Sequence, residues 1–600
     1  MFGYLCKYVP VEIFEALGIE LQRIEPEVSD YTQAETYLHA NVCSFIKSVL
    51  EDVLIHDYEG IILTACCDST RRLYDALKEH FPDKFIYLLD LPHKINDFAV
   101  GLYTKRIREM IAELEAYSGN TFQTEALEQV LENTANMSAR QSSPAPAFDP
   151  VTQNLSAMQN HPAFGPASDN SLKIGLMGAR CNREISKLLE QNNVQLLFDL
   201  TCTGIVRDTY CRDHTLFSYV ESLLGQIPCM RMIKAVNRRN FVQGFLDRID
   251  GILYHTVKFC DIYAYEYAAM KDSLSVPLLS IETDATKQCA GQIRTRVEAF
   301  LESLLQKQHR QGTSHTTNAD SYTRNPDLLT GNPDPVTIQK GGPMYILGID
   351  SGSTSTNAVL MNEKKEIIAS YVTRTGAKSG DSALRAYEEI LKKANITAGD
   401  LACTVSTGYG RVSIPFADKN LTEISCHGKG AHFLNPAVRT ILDIGGQDSK
   451  GIRLNEMGEV VDFVMNDKCA AGTGRFLEMM ARTLEMDITE LGPVSLNWKE
   501  DIEISSMCSV FAESEVISLI AQNKEKSDIA HGIHKAIANK SLTLLRRVHM
   551  EPGYMMTGGV AWNPGVVSVL EEILGEKFFI YKEPEIVGAL GAALYGLEQL

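Results

Sequence analysis

Hydrophobic runs that end in polar turns alternate with amphipathic stretches along the first half of this chain. The runs read GIILTACCD, KFIYLLDLP, LKIGLMGAR, VQLLFDLTCTG and DGILYH, and the segments between them have helical periodicity. Buried parallel strands that are joined by crossover helices produce this alternation. We therefore predict that the first half is a pair of doubly wound α/β subdomains.

The second half begins at Met344 with closely spaced strand-like runs, which read YILGID, NAVLM, IIASYVT and TILDIGG. Longer helical stretches follow at residues 475–485 and 535–548. This alternation of strand and helix predicts a second α/β domain.

Two polar segments interrupt these patterns. The stretch from Gln306 to Gly342 is rich in Asn, Thr, Gly and Pro and lacks hydrophobic periodicity, which is typical of a linker. The stretch from Ala139 to Asp169 is rich in Pro and Ser. The predicted organisation is a module at residues 1–305 with subdomains at about 1–140 and 170–305, a linker at 306–342 and a domain at 343–600.

Composition narrows the function classes. The chain has 600 residues, of which 44% are hydrophobic and 22% charged, and its formal net charge is -19. That charge argues against binding of a nucleic-acid backbone, which requires clustered Lys and Arg. Because no signal peptide and no apolar window of about 18 residues occur, we expect a cytoplasmic protein without membrane contact. The 14 cysteines are then expected to stay reduced.

A first segment of the second half, ILGIDSGSTSTNAVLM, is typical of a phosphate-binding hairpin. Backbone N–H groups and the hydroxyls of Ser351, Ser353 and Thr354 can reach phosphate oxygens in such a turn. Asp350 ends the first strand, where a hydrated divalent cation would bind. An ordinary hairpin turn has the same pattern, so this segment alone decides nothing.

Two later segments make a nucleotide site more specific. ILDIGGQDSK places Asp443 before Gly445 and Gly446, where backbone without side chains can approach phosphate closely. MMTGGVAWNPGV places Gly558 and Gly559 after an apolar run, where they would admit a flat adenine ring. Neither the P-loop nor the dinucleotide-binding motif occurs.

The order of these segments resembles the actin, Hsp70 and sugar-kinase superfamily (ASKHA), in which ATP lies between two lobes that close on it. The resemblance implies a two-lobed ATPase that uses Mg²⁺, with Asp350 and Asp443 as catalytic residues that handle magnesium and the attacking water. Which aspartate contributes more stays open. The residues implied to bind nucleotide are Ser351, Gly352, Ser353, Thr354, Gly445, Gly446, Gln447, Gly558 and Gly559.

Two cysteines of the second half, Cys469 in NDKCAAGTGRFLEMM and Cys508 in SSMCSVFAESEVISLI, each precede a predicted helix. The partial positive charge of a helix N-terminus favours a thiolate and therefore metal ligation. Two thiolates do not complete a four-cysteine iron-sulfur site, but a symmetric dimer would bring two from each subunit to its axis. Taken singly, each is better explained as a small buried side chain.

These two motifs, with LGIDSGSTSTNAVL, STGYGR, DIGGQDSK and TGGVAWNPGV, closely resemble the activators of 2-hydroxyacyl-CoA dehydratases and benzoyl-CoA reductases. The resemblance implies a homodimer formed through this domain, with one 4Fe-4S cluster held by Cys469 and Cys508 of both subunits. It also implies ATP-driven electron transfer at low potential, an external donor of the ferredoxin or flavodoxin type, and a dehydratase or reductase partner.

Several cysteines of the first half follow strands, at the edge of a doubly wound sheet where ligands bind. This pattern resembles the D-component family of 2-hydroxyglutaryl-CoA dehydratases and its branch of double-cubane cluster proteins. The resemblance implies that Cys43, Cys67 and Cys260 hold an N-terminal cluster, either a second 4Fe-4S cluster or a double cubane. Cys6 and Cys202 are candidates for extra ligands.

The remaining cysteines of this half receive other interpretations. Cys66 is an alternative to Cys67 or part of the core, and Cys181, Cys211, Cys229 and Cys289 are interpreted as structural. Only five residues precede Cys6, and one D-type module is present where the dehydratases use two. Both departures weaken the inference that this half binds an acyl-CoA.

Three functions stay open from the sequence. The first is an electron-transferring ATPase that reduces a cluster in its own N-terminal module or in a separate protein. The second is a self-contained ATP-dependent reductase or dehydratase that uses a double-cubane type of cluster. The third is a non-redox ATPase of the ASKHA kind fused to a scaffold module, which would contain no iron.

Overall fold

The computed structural model of the protein describes residues 1–139, 171–180, 183–192, 194–202, 213–226, 229–232, 236–271, 273–287, 290–312, 344–466, 470–504 and 509–600. These residues form two compact units, Met1–Leu304 and Leu305–Leu600. Each unit is an α/β structure with two sheets. Among the described helices, none is both long and apolar enough to cross a lipid bilayer.

The first unit contains two four-stranded sheets, and every described strand pair in them is parallel. The strand orders are β2-β1-β3-β4 and β6-β5-β7-β8. In each sheet the first strand lies inside and the chain winds outward in both directions. The predicted doubly wound α/β structure of the first half is therefore confirmed. The strands are β1 (Phe2–Tyr4), β2 (Leu21–Arg23), β3 (Gly60–Thr64), β4 (Phe85–Leu89), β5 (Lys173–Gly178), β6 (Gln195–Thr201), β7 (Gly251–Val257) and β8 (Leu278–Thr283).

Helices connect these strands, as parallel pairing requires. The central strands β3 and β7 are buried along their whole length because helices cover both faces of their sheets. The described helices are α1 (Val11–Ala16), α2 (Ser44–Ile55), α3 (Asp68–His80), α4 (Asp97–Ser118), α5 (Thr124–Ala139), α6 (Arg183–Gln191), α7 (Leu216–Gly225), α8 (Val236–Gln243), α9 (Asp261–Met270) and α10 (Ala290–Gly312).

The second unit contains two five-stranded sheets that share one topology. The orders are β11-β10-β9-β12-β13 and β16-β15-β14-β17-β18. In each sheet the first three strands of the sequence pair antiparallel, the fourth pairs parallel with the first, and the fifth pairs parallel with the fourth. The strands are β9 (Tyr345–Ser351), β10 (Ser355–Asn362), β11 (Ile367–Arg374), β12 (Leu401–Thr407), β13 (Lys419–Asn420), β14 (Thr440–Ile444), β15 (Ser449–Leu454), β16 (Val460–Asn466), β17 (Tyr554–Thr557) and β18 (Phe578–Phe579).

This repeated topology gives the second unit two similar lobes, each with a parallel strand edge at which loops gather. The helices described here are α11 (Ser379–Ala394), α12 (Glu423–Leu434), α13 (Gly474–Thr483), α14 (Ile488–Ser495), α15 (Ser509–Ala521), α16 (Lys526–Arg547), α17 (Pro564–Leu574) and α18 (Val587–Leu597).

Helix α18 packs very closely because its sequence, VGALGAALYGL, consists mainly of small residues. A Cβ atom at Gly591 would overlap the carbonyl oxygen of Cys426 in α12. A Cβ atom at Gly348 of β9 would likewise overlap the carbonyl oxygen of Ala589 in α18. Since both obstacles are backbone atoms, these glycines are required for the contacts of α18 with helix α12 and with strand β9.

We therefore expect Gly591→Ala to destabilise the second unit by about 1–3 kcal/mol through overpacking, although Ala is the better helix former. Thermal unfolding followed by circular dichroism would measure the loss as a lower midpoint. Gly399→Ala is the matched control, because a Cβ atom there would meet only the Thr397 hydroxyl at 3.7 Å. Equal midpoints for the two variants would contradict the packing argument.

Candidate functional site

Two buried aspartates occupy equivalent positions in the two sheets of the second unit. Asp350 is the penultimate residue of β9, and Asp443 is the penultimate residue of β14. In each case the strand lies between an antiparallel and a parallel neighbour. The sheet repeat therefore produces a pair of carboxylates, one from each lobe.

The carboxylate of Asp350 lies in a cradle of glycines. Cβ atoms at Gly408 and Gly588 would both overlap its oxygens. Gly408 also has a φ of +88°, a conformation that side-chain-bearing residues rarely adopt. Glycine is thus needed at both positions for the carboxylate to be held here.

Asp443 is surrounded by donors. Lys450 Nζ lies 3.1 Å from Asp443 Oδ2 and 2.6 Å from Asp448 Oδ2. His427 Nε2, on α12, lies 3.4 Å from Asp443 Oδ1. The Thr557 hydroxyl donates to the same oxygen at 2.9 Å.

These contacts separate the protonation behaviour of the two aspartates. Burial opposes ionisation of Asp443, but the charges of His427 and Lys450 hold its pKa below the usual range. Burial raises the pKa of Asp350 to about 6, against the opposing charge of His427. Burial would lower the pKa of His427, yet Asp443 raises it to about 9. Asp443 therefore stays ionised at a lower pH than Asp350 does. Sites that need both an acid and a base often separate the pKa values of two groups in this way.

The predicted phosphate loops approach each other. A Cβ atom at Gly446 would overlap the hydroxyl of Thr354, in the turn between β9 and β10. Gly445 and Gly446 also accept hydrogen bonds through their carbonyls from the N–H groups of Gly474 and Arg475, each at 2.9 Å. The glycine loop is therefore joined directly to the start of helix α13.

The other predicted nucleotide residues lie around these loops. Ser351 is buried, and its hydroxyl has no hydrogen-bond partner among the residues that the structure describes. Gly352 N–H donates to the Ser355 carbonyl at 2.9 Å, which closes the turn that carries Ser353. Gln447 is exposed. Gly558 has a φ of +81°, and Gly559 begins the short 3₁₀ turn that follows it.

Seven cysteines line one cavity in the first unit, with a volume of about 70 Å³. They lie in the loops and at the helix starts beside both parallel sheets. Residues that are far apart in sequence therefore line one cavity. Apolar and aromatic side chains complete the wall, together with Arg180 and Arg231. The cysteines are Cys6, Cys43, Cys66, Cys67, Cys202, Cys229 and Cys260.

Three of these cysteines stand directly before helices. Cys43 precedes α2, Cys67 precedes α3 and Cys260 precedes α9, and none of the three side chains caps its helix. The positive end of a helix dipole favours the thiolate form of a sulfur beside it. Of the three, only Cys43 has a lowered pKa, because neighbouring thiols and burial raise the pKa of Cys67 and Cys260. Each of these three thiols is thus a potential ligand of a group that contains metal ions.

The thiols are close enough to form hydrogen-bonded pairs. The hydrogen bond from Cys66 lowers the pKa of Cys6, that from Cys260 lowers the pKa of Cys43, and that from Cys202 lowers the pKa of Cys229. In each pair the partner's own pKa is raised. One sulfur of each pair is therefore the preferred site of negative charge.

Among the described residues, no group of three or more His, Cys, Asp or Glu side chains is arranged around a single metal ion. Thiols are the ligand type that iron-sulfur clusters use, and the cavity offers seven of them with no carboxylate in the described part of its wall.

The structure brings together all five cysteines proposed from the sequence for the first half. It adds two that the sequence interpretation had assigned otherwise, Cys66 and Cys229. Two side chains that contact Asp443 were also missed, His427 and Lys450, although Lys450 stands within the quoted segment DIGGQDSK. The predicted cluster ligands Cys469 and Cys508 lie outside the described residues.

A two-lobed unit with paired aspartates and glycine loops is typical of an ATPase. In this chain it is fused to an α/β module that is rich in thiols. Comparison with known families agrees on both halves. The BadF/BadG/BcrA/BcrD ATPase family matches residues 347–596, and the 2-hydroxyglutaryl-CoA dehydratase D-component family matches residues 6–141 and 145–304. The chain belongs to the BadF/BadG/BcrA/BcrD ATPase family, and the predicted ASKHA-type fold of its second half and its D-component-like first half are confirmed.

Similar proteins include two dehydratase activators. The 2-hydroxyisocaproyl-CoA dehydratase activator of Clostridioides difficile is 41% identical over 256 residues, 43% of this chain and 96% of the activator. The activator of lactoyl-CoA dehydratase of Anaerotignum propionicum is 46% identical over 255 residues, 42% of this chain and 98% of the activator. A solved structure of the former with bound ADPNP covers 43% of this chain and 95% of its own, with 41% identity and a TM-score of 0.41.

The contact between the two phosphate loops leads to a prediction. Gly446→Ala should lower ATP affinity at least about tenfold, or about 1.4 kcal/mol, because its Cβ atom would collide with Thr354 and push the loops apart. Calorimetric titration with ATP and Mg²⁺ would measure the change. Gly399→Ala, remote from the cleft, should bind like the unaltered chain, and full affinity in Gly446→Ala would contradict the prediction.

Proposed function

We propose that this protein is an ATP-driven electron-transfer enzyme whose acceptor is a cluster in its own first unit. The observation that carries the proposal is the convergence of seven cysteines on one cavity, in the same chain as an activator-type ATPase. A module that only docks partners does not require seven reduced thiols around one cavity. The third function left open by the sequence, a non-redox ATPase, is therefore the least supported.

In this proposal the second unit supplies the driving force. Asp443 stays ionised and would hold Mg²⁺, which would compensate phosphate charge, while Asp350 would orient the attacking water. The loops at Ser351–Thr354 and Gly445–Gln447 hold the phosphates, and Gly558 and Gly559 admit the adenine. A 4Fe-4S cluster held between two subunits by Cys469 and Cys508 would supply one-electron chemistry at low potential.

The hydrogen bonds from Gly474 and Arg475 to the glycine loop support coupling between nucleotide and cluster. A ligand shifts a conformational equilibrium only if it binds the two states with different affinity. A loop that follows the γ-phosphate meets this requirement and carries α13 with it. Since α13 begins five residues after Cys469, ATP hydrolysis is transmitted to the ligand region through a short covalent and hydrogen-bonded path.

In the first unit, Cys43, Cys67 and Cys260 would hold one cluster, and Cys6 and Cys202 would extend the ligand set. Seven thiols exceed the four that one cubane uses. This excess favours a larger group of the double-cubane type, and with it the second candidate, a self-contained ATP-dependent reductase or dehydratase. A homodimer, an external donor of the ferredoxin or flavodoxin type and a dehydratase-like partner complete the proposal.

Iron content tests the ligand assignments. After anaerobic reconstitution, Cys43→Ser/Cys260→Ser should lose about four irons per chain or more, because two ligands of the first-unit cluster are removed. Cys469→Ser/Cys508→Ser should lose only the iron shared between subunits. Cys403→Ser is the control, since Cys403 belongs to neither proposed ligand set and its sulfur packs beside Gly596. Iron and sulfide analysis gives the counts, and full loading of either double variant would contradict its assignment.

Replacement of the ionised aspartate tests the hydrolytic role. Asp443→Asn should lower ATP turnover roughly 100-fold, because a neutral amide cannot hold the cation that compensates phosphate charge. Phosphate release measures turnover, and iron content should remain that of the unaltered chain. Unchanged turnover would remove Asp443 from the mechanism.

Electron delivery is tested on the full chain. Under excess low-potential reductant, Mg²⁺ and ATP should produce the paramagnetic signal of the reduced first-unit cluster, whereas a non-hydrolysable analogue should not. The Cys469→Ser/Cys508→Ser chain should show no ATP effect. An ATP-independent signal of equal size in both chains would refute ATP-driven transfer within the protein.

A further inference from the structure

Arg231, a half-buried arginine on the cysteine cavity, differs from the two buried arginines described in the first unit. Arg238 pairs with Glu266 at 2.7 Å, and Arg180 pairs with Glu25 at 2.9 Å. Arg231 makes no ion pair with a carboxylate in the described part of the chain, and its buried Nε has no hydrogen-bond partner there. A half-buried guanidinium that faces sulfurs instead of a carboxylate would be stabilised by an anionic occupant of the cavity.

The position of Arg231 is fixed by its contacts. Its Nη1 lies 3.8 Å from the sulfur of Cys202 and 3.9 Å from that of Cys229. Its guanidinium carbon lies 5.7 Å from the centre of the Tyr263 ring, within the range of a cation–π contact. The Tyr263 hydroxyl is in turn 3.4 Å from the Cys229 sulfur. The ring therefore holds the guanidinium against the sulfurs.

The charge of Arg231 reaches most of the cavity. It acts electrostatically on five of the seven thiols, Cys66, Cys67, Cys202, Cys229 and Cys260. Reduction of an iron-sulfur group adds one negative charge without changing its atoms. In a buried site, a fixed positive charge that donates N–H groups to the sulfurs stabilises that extra electron.

We propose that Arg231 is a positioning residue that raises the reduction potential of the first-unit cluster by holding its guanidinium against the sulfurs of Cys202 and Cys229. The inference rests on the proposed function, since it presumes a cluster in the cavity. Arg231 touches ligand sulfurs rather than substrate, so its effect is a change in the electron affinity of the cluster. Arg180 lines the same cavity but is already neutralised by Glu25, and its contribution is smaller.

The test uses the full-length Cys469→Ser/Cys508→Ser chain as parent, so that only first-unit iron is observed. Mediated redox titration, followed by electron paramagnetic resonance, gives the midpoint potential. Arg231→Gln should lower the one-electron equilibrium constant for reduction at least tenfold, which corresponds to a midpoint about 59 mV more negative. Arg231→Lys, which keeps the charge but not the planar fork, should shift less. Arg180→Gln, the matched control, should also shift less than Arg231→Gln.

An Arg231→Gln chain that holds the parent's iron and has the parent's midpoint would overturn the inference, as would an equal shift in Arg180→Gln. If Arg231→Gln folds but loses its iron, the midpoint of Arg231→Lys decides. An unchanged midpoint there overturns the inference, and a negative shift supports it. A parent chain without iron would contradict the proposed function itself, so the two failures are distinguishable.

Discussion

Buried negative charge is the constraint on which both halves of this protein depend. An ionised group away from water is tolerated only with a partner of opposite charge and with its hydrogen bonds satisfied. In the second unit, Lys450 and His427 meet this requirement for Asp443. In the first unit, helix N-termini face three thiols and Arg231 faces others. In each site, positively charged side chains or helix N-termini therefore stabilise the buried negative charge on which the proposed function depends.

Much of the fold could be predicted because it depends on local pattern. Uninterrupted apolar runs such as GIILT are typical of strands covered on both faces, and β3 is buried throughout. The same locality explains why Cys43, Cys67 and Cys260 could be proposed as ligands from the sequence, since each stands directly before a helix. Position relative to a secondary-structure boundary is visible in one sequence.

The missed residues depend on tertiary structure instead. Cys229 lies in the irregular chain between α7 and α8, where no boundary marks it, and only packing of the two sheets brings it to the cavity. Lys450 faces Asp443 because β14 and β15 pair in one antiparallel register, and a shift of one residue would remove the contact. The sequence of α12 does not distinguish His427 from other polar residues of a helix, because its partner Asp443 lies on a different element, β14. Register and lobe contact are properties of the folded chain, and a single sequence does not display them.

The two hydrogen bonds that join the glycine loop to α13 have a mechanical consequence. The first N–H groups of a helix have no partner inside it, and here Gly474 and Arg475 donate theirs to the carbonyls of Gly445 and Gly446. A tilt of the helix without the loop would break both bonds, so the pair turns as one lever. Its short arm is the predicted phosphate loop, whereas its long arm is a helix of 10 residues, or about 15 Å. A small rotation of that loop would therefore become a larger displacement at the far end of the helix.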